Sequence, residues 1–369
     1  MARPYILYGW HLSYFTGKAR CYLKYKRIPF VDQEVNLPTL MWRIPRKTGV
    51  RVMPVLRTPD NDWIQDTHLI TDHIEAQVSD RAVVPGTPWQ RWVATLLEAW
   101  ADEWWVPIAM HTRWSYPENY ALFQHDAGRA LLPGFPRFIQ HKAVDHVARY
   151  LRGLLPAVGI RPEQNAVLEA WTHAMMAKLD THFAAHSYLL GGRPTLADFG
   201  LVGTMYGHLG RDPWPKREMV ARYPHLRAWI QRMDNPPDRR MGALFPDDEL
   251  PPTLLPILKQ VVQECIPWFD GIAAEVERLL AERPGRFTPG KPLPRKLGDV
   301  TLHTAQGSFK RAALPFTLWL AQRPRDAYDA MDAADQARVR ARLEDLGGLA
   351  LLEQDWPRLA RHGLGATLA

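Results

Sequence analysis

The chain has 369 residues, 46% of them hydrophobic, enough to bury a substantial core and to form two or more domains. Its formal net charge is +7, with basic residues scattered among 39 acidic ones, which argues against a nucleic-acid footprint and for a solvated basic surface that attracts anions. Two cysteines, Cys21 and Cys265, are too few for a disulfide scaffold, and no apolar run is long enough to span a bilayer.

The chain opens with MARPYILYGWHL, which lacks the apolar core of a signal peptide, so a soluble, cytoplasmic protein with no membrane partner is expected. Tyr5 to Tyr8 reads as a first strand, broken by Gly9. A helical pattern through Ala19, Leu23 and Ile28 follows and stops at Pro29; Phe30, Val31 and Val35 begin a second strand. Ser13 falls in the turn between the first strand and the first helix, where backbone donors and the positive end of the helix dipole converge. A hydroxyl there can donate to a bound thiolate and help depress its pKa. A helix-capping serine that needs no ligand fits the same position.

Val52 to Leu56 reads as a strand apart from Pro54, which cannot donate to a sheet ladder. A cis Met53–Pro54 bond resolves the conflict and turns the Met53 amide and carbonyl towards a ligand backbone. Pro59 to Asp62 is a turn signal and Trp63-Ile64 a short strand. Asp66-Thr67 then opens a helix with Leu69, Ile70, Ile74 and Val78 on one face. Strand, proline, hairpin, strand and an Asp-Thr helix entry together make a binding corner.

With these motifs in order, residues 5–80 resemble the thioredoxin-like N-terminal domain of glutathione transferases. The register runs from Leu7-Tyr8-Gly9 through Ser13 to Ile28-Pro29-Phe30, the cis-proline motif matches Met53-Pro54-Val55-Leu56, and the family's Glu-Ser pair matches Asp66-Thr67. The resemblance implies glutathione as co-substrate, lying along the Met53 and Pro54 strand edge. Asp66 pairs with its ammonium, and Thr67, with its amide at the helix start, holds its γ-glutamyl carboxylate. Arg51 or Lys47 is placed to meet the glycyl carboxylate, although each fits a solvated loop charge as well. Ser13 is the first choice for the thiol-activating hydroxyl. Tyr14, which stands where many Ser-type members carry proline, and Tyr8, at the end of the first strand, remain in play. Cys21 lies eight residues beyond Ser13, inside the helix, and reads as a buried structural thiol.

Arg81 to Pro88 is a linker by composition. From there Trp89, Trp92, Leu96, Trp100, Trp104 and Ile108 recur at helical spacing, a pattern of core packing. In the resembling family this helix also faces the second-substrate pocket, which makes Trp104, Met110 and Arg113 candidates to line it. His141 and Asp145 lie one turn apart and can hold a metal, but a solvated helix face is the stronger reading and no metal is expected. Gly191 to Asp198 ends in Thr195 and Asp198 at capping-box spacing and resembles the T-x-A-D helix entry of the transferase C-terminal domain; its role is structural. Beyond a Pro/Asp-rich break at Phe245 to Pro252, Leu254 to Leu280 reads as helix. Val300 to Leu302 is a weak strand, and Phe309–Ala321 and Asp326–Leu352 read as further helices.

The expected fold is an α/β thioredoxin-like domain over residues 1–80 and an all-α C-terminal domain over 88–250. A mainly helical extension over 251–369 packs on the α domain. The resemblance implies a detoxification enzyme, a glutathione transferase in which bound glutathione thiolate attacks a small hydrophobic electrophile, in a homodimer. A non-catalytic binding or scaffold protein of the same fold is the alternative, and no GxSxG, P-loop, GxGxxG or HExxH motif points elsewhere.

Overall fold

The computed structural model describes residues 3–238 and 241–369. In chain order come β1 (Tyr5–Gly9), α1 (Tyr14–Tyr25), β2 (Phe30–Glu34), a π-helical turn (Thr39–Arg43) running into α2 (Ile44–Thr48), β3 (Val55–Arg57), β4 (Trp63–Gln65) and α3 (Thr67–Gln77). Next are α4 (Pro88–Trp104), α5 (Val106–Ser115), α6 (Pro117–Leu131), α7 (Arg137–Gly153), α8 (Asn165–Ala185) and α9 (Leu196–Thr204). A second π-helical turn (Met205–Leu209), α10 (Pro213–Glu218) and α11 (Pro224–Asp234) follow. The chain closes with α12 (Leu255–Glu282), β5 (Asp299–Thr304), β6 (Gly307–Ala312), α13 (Pro315–Ala321), α14 (Arg323–Asp329), α15 (Ala333–Asp345), α16 (Ala350–Glu353), β7 (Leu359–His362) and β8 (Gly365–Leu368). This is a mixed-sheet N-terminal domain, then helical domain and further helical chain. No helix among the described residues is long and apolar enough to cross a membrane.

The described residues fall into two compact units, each discontinuous in sequence. The first takes in Met1–Val84, Ala109–Leu154 and Asp198–Met241; the second takes in Pro85–Ile108, Leu155–Ala197 and Gly242–Ala369.

In the first unit the sheet order is β2-β1-β3-β4, with β1 parallel to β2 and antiparallel to β3, and β3 antiparallel to β4. Alternation along β1 sends Leu7 and Tyr8 to opposite faces. Tyr8 and Val55 join Ile44 of α2 in one apolar cluster, which continues into Phe123, Ala127, Ala130 and Leu131 of α6 and Val144 and Ala148 of α7. The hairpin α6–α7 thus shares a core with the α2 face of the sheet. Lys26, buried at the end of α1, donates to the carbonyls of Val78 at 2.6 Å and Asp80 at 2.7 Å, and pairs with Glu75 at 2.8 Å. A buried ammonium without such acceptors would cost several kcal/mol. Cys21 is fully buried, and desolvation pushes its thiol up to about 12, which leaves it inert as a nucleophile.

The second unit buries the tryptophan stripe of α4. Trp89, Trp92, Trp100 and Trp104 are all in the core. Trp104 meets Trp171 and Trp268 at ring distances of 5.8 and 5.2 Å, so it is a packing residue here. Asp248 caps α4 from a distant loop, accepting from the amides of Trp89 and Gln90 at 3.0 Å each. Two expectations for the last segment need correction. Phe309 to Ala312 is not the start of a helix but strand β6, paired with β5 through Leu302 and Phe309, and the helix begins only at Pro315. The alternation of buried Val300 and Leu302 with exposed Thr301 is the half-buried strand pattern that marks this hairpin. The single helix expected over Asp326–Leu352 is broken into three: Asp332 caps α15 by accepting from the Asp335 amide at 2.8 Å, and Gly347 at φ +68° ends it. The hairpin β7–β8 was not anticipated.

Candidate functional site

The sheet register assembles the candidate site. Tyr8 of β1 pairs with Val55 of β3, and Val55 pairs with Gln65 of β4, in one row across the sheet. The chain runs out of β1 towards Ser13, enters β3 from Pro54 and leaves β4 into Asp66. Because neighbouring strands alternate in direction, all three segments lie at the same end of the sheet. The Met53–Pro54 peptide there is cis.

Ser13 is the N-cap of α1, in extended conformation, and its Oγ accepts from the Thr16 amide at 3.3 Å. The residue is only partly exposed. A hydroxyl has one hydrogen to give and two lone pairs, so capping the helix leaves the Ser13 hydrogen available to another acceptor. The first turn of α1 contains no acidic residue, and the positive end of the helix is not neutralised by its own sequence. Gly9 permits this geometry, since any Cβ there would collide with the Thr16 side chain.

Tyr14 is 4% exposed, with its ring tilted on Phe15 at 4.6 Å and edge-on to His208 at 6.1 Å. Tyr8 is also buried, stacked on Trp63 at 5.0 Å beneath the Arg43 guanidinium. Asp66 is the N-cap of α3 at φ +97°, a conformation costly for a residue with a Cβ and one that clusters at functional sites. Its Oδ1 accepts from the His68 amide at 2.9 Å and lies 3.1 Å from His68 Nδ1. Thr67 is buried behind it, Met53 is half-buried against the α2-face cluster, and Arg51 is exposed.

Sequence reasoning names Arg113 as a pocket residue and misses its role in supporting the Ser13 turn. Arg113 is buried rather than lining an open pocket. It forms a bidentate pair with Asp212 at 2.9 Å on both contacts, donates to the Leu12 carbonyl at 2.8 Å and also to the Gly207 carbonyl. His208 Nε2 lies 3.3 Å from Arg113 Nη1, and its Nδ1 lies 3.0 Å from the Ala109 carbonyl, which fixes a neutral ring protonated on Nδ1. Desolvation, reinforced by the Arg113 charge, holds His208 well below the usual histidine range. A Cβ on Gly207 would sit 3.0 Å from the Tyr14 nitrogen, so the π-helical turn reaches the Ser13–Tyr14 backbone only because residue 207 is glycine. Nothing in local periodicity announces a long-range ion pair of this kind. Asp198, expected as a capping residue, accepts from the Trp229 indole at 3.0 Å. Asp145, considered with His141 for a metal, instead accepts from the Tyr120 hydroxyl and from Gln124 Nε2 at 2.7 Å.

Beside the turn is a cavity of about 380 Å³ lined by Trp10, Leu12 and Ala130 together with His11, Glu34, Asp126, Arg129 and Arg211. Arg211 pairs with Asp126, and His11 Nε2 lies 3.8 Å from Asp32. Partial burial and the Arg20 charge lower the pKa of His11, with Asp32 opposing them.

A thioredoxin-like sheet with a capped serine turn, a cis-proline edge and an acidic helix entry defines a class of thiol-binding folds. The N-terminal domain of glutathione S-transferases matches residues 7–82 of this chain, and their C-terminal domain matches residues 172–232. The chain belongs to the glutathione S-transferase superfamily. Among solved structures it is similar to a glutathione S-transferase from Rhodospirillum rubrum, at 16% identity over 68% of this chain and 97% of that one, with a TM-score of 0.41. It is also similar to the beta-etherase LigF from Sphingobium, at 15% identity over 64% and 96%, TM-score 0.45. A third is a glutathione S-transferase from Methylobacterium radiotolerans in complex with glutathione sulfonate, at 18% over 64% and 92%, TM-score 0.41. No curated protein matches the chain.

Proposed function

We propose that the chain is a glutathione transferase in which Ser13 holds the sulfur of bound glutathione as thiolate. The observation that carries this reading is the row Tyr8–Val55–Gln65, whose flanking segments end at one edge of the sheet. Glutathione lies along that edge, its backbone paired with the amide and carbonyl of Met53 beside Pro54. Asp66 meets the ammonium, the Thr67 amide meets the γ-glutamyl carboxylate, and Arg51 meets the glycyl carboxylate. The Ser13 hydroxyl donates to the sulfur while it still accepts from the Thr16 amide, and the open end of α1 favours the negative charge. The thiolate then attacks an electrophilic carbon: a C–S bond forms and the leaving group departs with its electron pair. The chain contributes thiol ionisation and positioning, and glutathione contributes the nucleophile. We assign Tyr14 to packing, on the ground of its buried ring.

The electrophile is assigned to the cavity beside the turn. Trp10 and Leu12 offer it an apolar wall, and Arg129 and Glu34 favour a substrate that also carries a polar group. A second reading, a binding protein without turnover, draws on the Asp66 carboxylate being engaged by His68. Titration calorimetry with glutathione, followed by ultraviolet thiolate absorbance across pH, separates the two. Transferase activity requires binding together with a lowered thiol pKa. Binding at an ordinary thiol pKa favours the second reading, and no binding rejects both.

A further inference from the structure

The hairpin of α6 and α7 carries a surface that the proposed chemistry does not use. Its inner face is fixed by packing, since Leu131, Val144 and Ala148 lie in the apolar cluster with Tyr8 and Val55. Its tip is open: Pro133 to Phe138 are six consecutive exposed residues. Within them Phe135 is 53% and Phe138 64% exposed, and Tyr150 further along α7 is 66% exposed. Every exposed Phe and Tyr among the described residues lies on this hairpin. Gly134 at the turn has φ +81° and nothing around its Cβ position, so the tip stands clear of the rest of the unit.

The charge on the hairpin is one-sided. From Arg129 to Arg152 the sequence has five Lys and Arg side chains and one acidic residue, Asp145. Asp145 is occupied, accepting from the Tyr120 hydroxyl and from Gln124. Arg137, Lys142 and Arg149 are exposed, and none has an acidic partner among the described residues. At about 100° per residue, Phe138, Lys142 and Arg149 fall within about 40° of one another on α7, opposite buried Val144 and Ala148. A basic stripe thus leads to an aromatic tip.

We infer that this hairpin docks on an anionic lipid bilayer, with Phe135 and Phe138 in the headgroup layer and Arg137, Lys142 and Arg149 against the negative headgroups. Aromatic rings favour the membrane–water interface, and each Lys or Arg near the surface adds attraction to anionic lipid. Stable docking takes two signals, apolar insertion and charge, and one element supplies both. It needs no spanning helix, and none occurs among the described residues. It departs from the sequence expectation of no membrane partner, which rests on the lack of a spanning run. The inference does not depend on where glutathione binds.

The test is flotation of the full chain with vesicles of phosphatidylcholine alone or of phosphatidylcholine with phosphatidylserine. The protein should float with the phosphatidylserine vesicles, stay behind with phosphatidylcholine alone, and be released by salt. Lys142→Gln with Arg149→Gln, which removes two exposed charges, should weaken binding about thirtyfold. Phe135→Ser with Phe138→Ser should weaken it about tenfold or more. Leu255→Ser, at an exposed apolar residue outside the hairpin, should leave binding unchanged. No flotation with the anionic vesicles would overturn the inference. So would binding that both hairpin variants leave intact, or an equal loss in Leu255→Ser. Capture by soluble polyglutamate without binding to vesicles would overturn it in favour of an acidic protein partner. A Phe variant that changes the molecular mass in sedimentation would overturn it in favour of a contact between copies of the chain.

Discussion

Replacing Ser13 by alanine removes the cap to Thr16 and, on the proposed reading, a second hydrogen bond to the glutathione sulfur, and their sizes can be separated. The cap to the Thr16 amide is long, at 3.3 Å, so its loss should cost about 1 kcal/mol of folding stability. The proposed hydrogen bond to the glutathione sulfur would be made to a charged group, worth about 1.5–3 kcal/mol, and would favour only the thiolate. At 1.36 kcal/mol per pKa unit, its loss should raise the bound thiol by about 1–2 units. The dipole of α1 stays in place, so ionisation should be weakened rather than abolished. Thiolate absorbance of the glutathione complex across pH measures the shift, and denaturant titration measures the cap. Ser13→Asp is the informative companion. Aspartate caps as well as serine, so stability should hold, but its charge opposes the thiolate and activity should fall. A thiol pKa unchanged in Ser13→Ala, alongside the stability loss, would show that Ser13 caps the helix and does nothing more.

Three further outcomes follow from the packing. Arg113→Met leaves the Asp212 carboxylate buried without its partner, at a cost of about 3–5 kcal/mol in denaturant titration. The double variant Arg113→Met with Asp212→Leu should recover much of that loss, and equal destabilisation would deny that an orphaned charge is the cause. Trp229→Phe removes the indole donor from buried Asp198 and should cost about 1–3 kcal/mol; a neutral result would mean that the carboxylate is satisfied elsewhere. Glu264 is held mainly by desolvation at about 7, against the Gln260 and Trp171 hydrogen bonds. Its folded pKa is raised, so its contribution is complete below about pH 4.5, the unfolded value, and is lost as pH rises through about 7. Glu264→Gln should flatten stability over that window, and a slope identical to the unaltered protein would contradict the assignment.

The geometry of the corner proposed to bind glutathione was legible because each of its parts is a local signal. A proline inside an apolar run, a serine before a helix and an Asp-Thr entry all reveal themselves within a few residues, and the strand register then brings them together. The tryptophan stripe of α4 was legible for the same reason, since helical spacing reports a buried face. What could not be read depends on residues far apart in sequence. Arg113 is an ordinary helix arginine until Leu12, Gly207 and Asp212 surround it. Likewise the α6–α7 hairpin shows amphipathic spacing but not that its apolar face joins Tyr8 and Val55. In the last segment, short strands such as β6 carry too few alternating positions to outweigh a neighbouring helical pattern, so the sequence pattern extends the following helix back to Phe309.

A crystal of the protein soaked with glutathione tests the central claim most directly. The tripeptide should lie along Met53 and Pro54, with its ammonium at Asp66 and its sulfur within hydrogen-bonding distance of Ser13 Oγ. Glutathione bound there with its sulfur turned away from Ser13, or seated at another surface, would contradict the account.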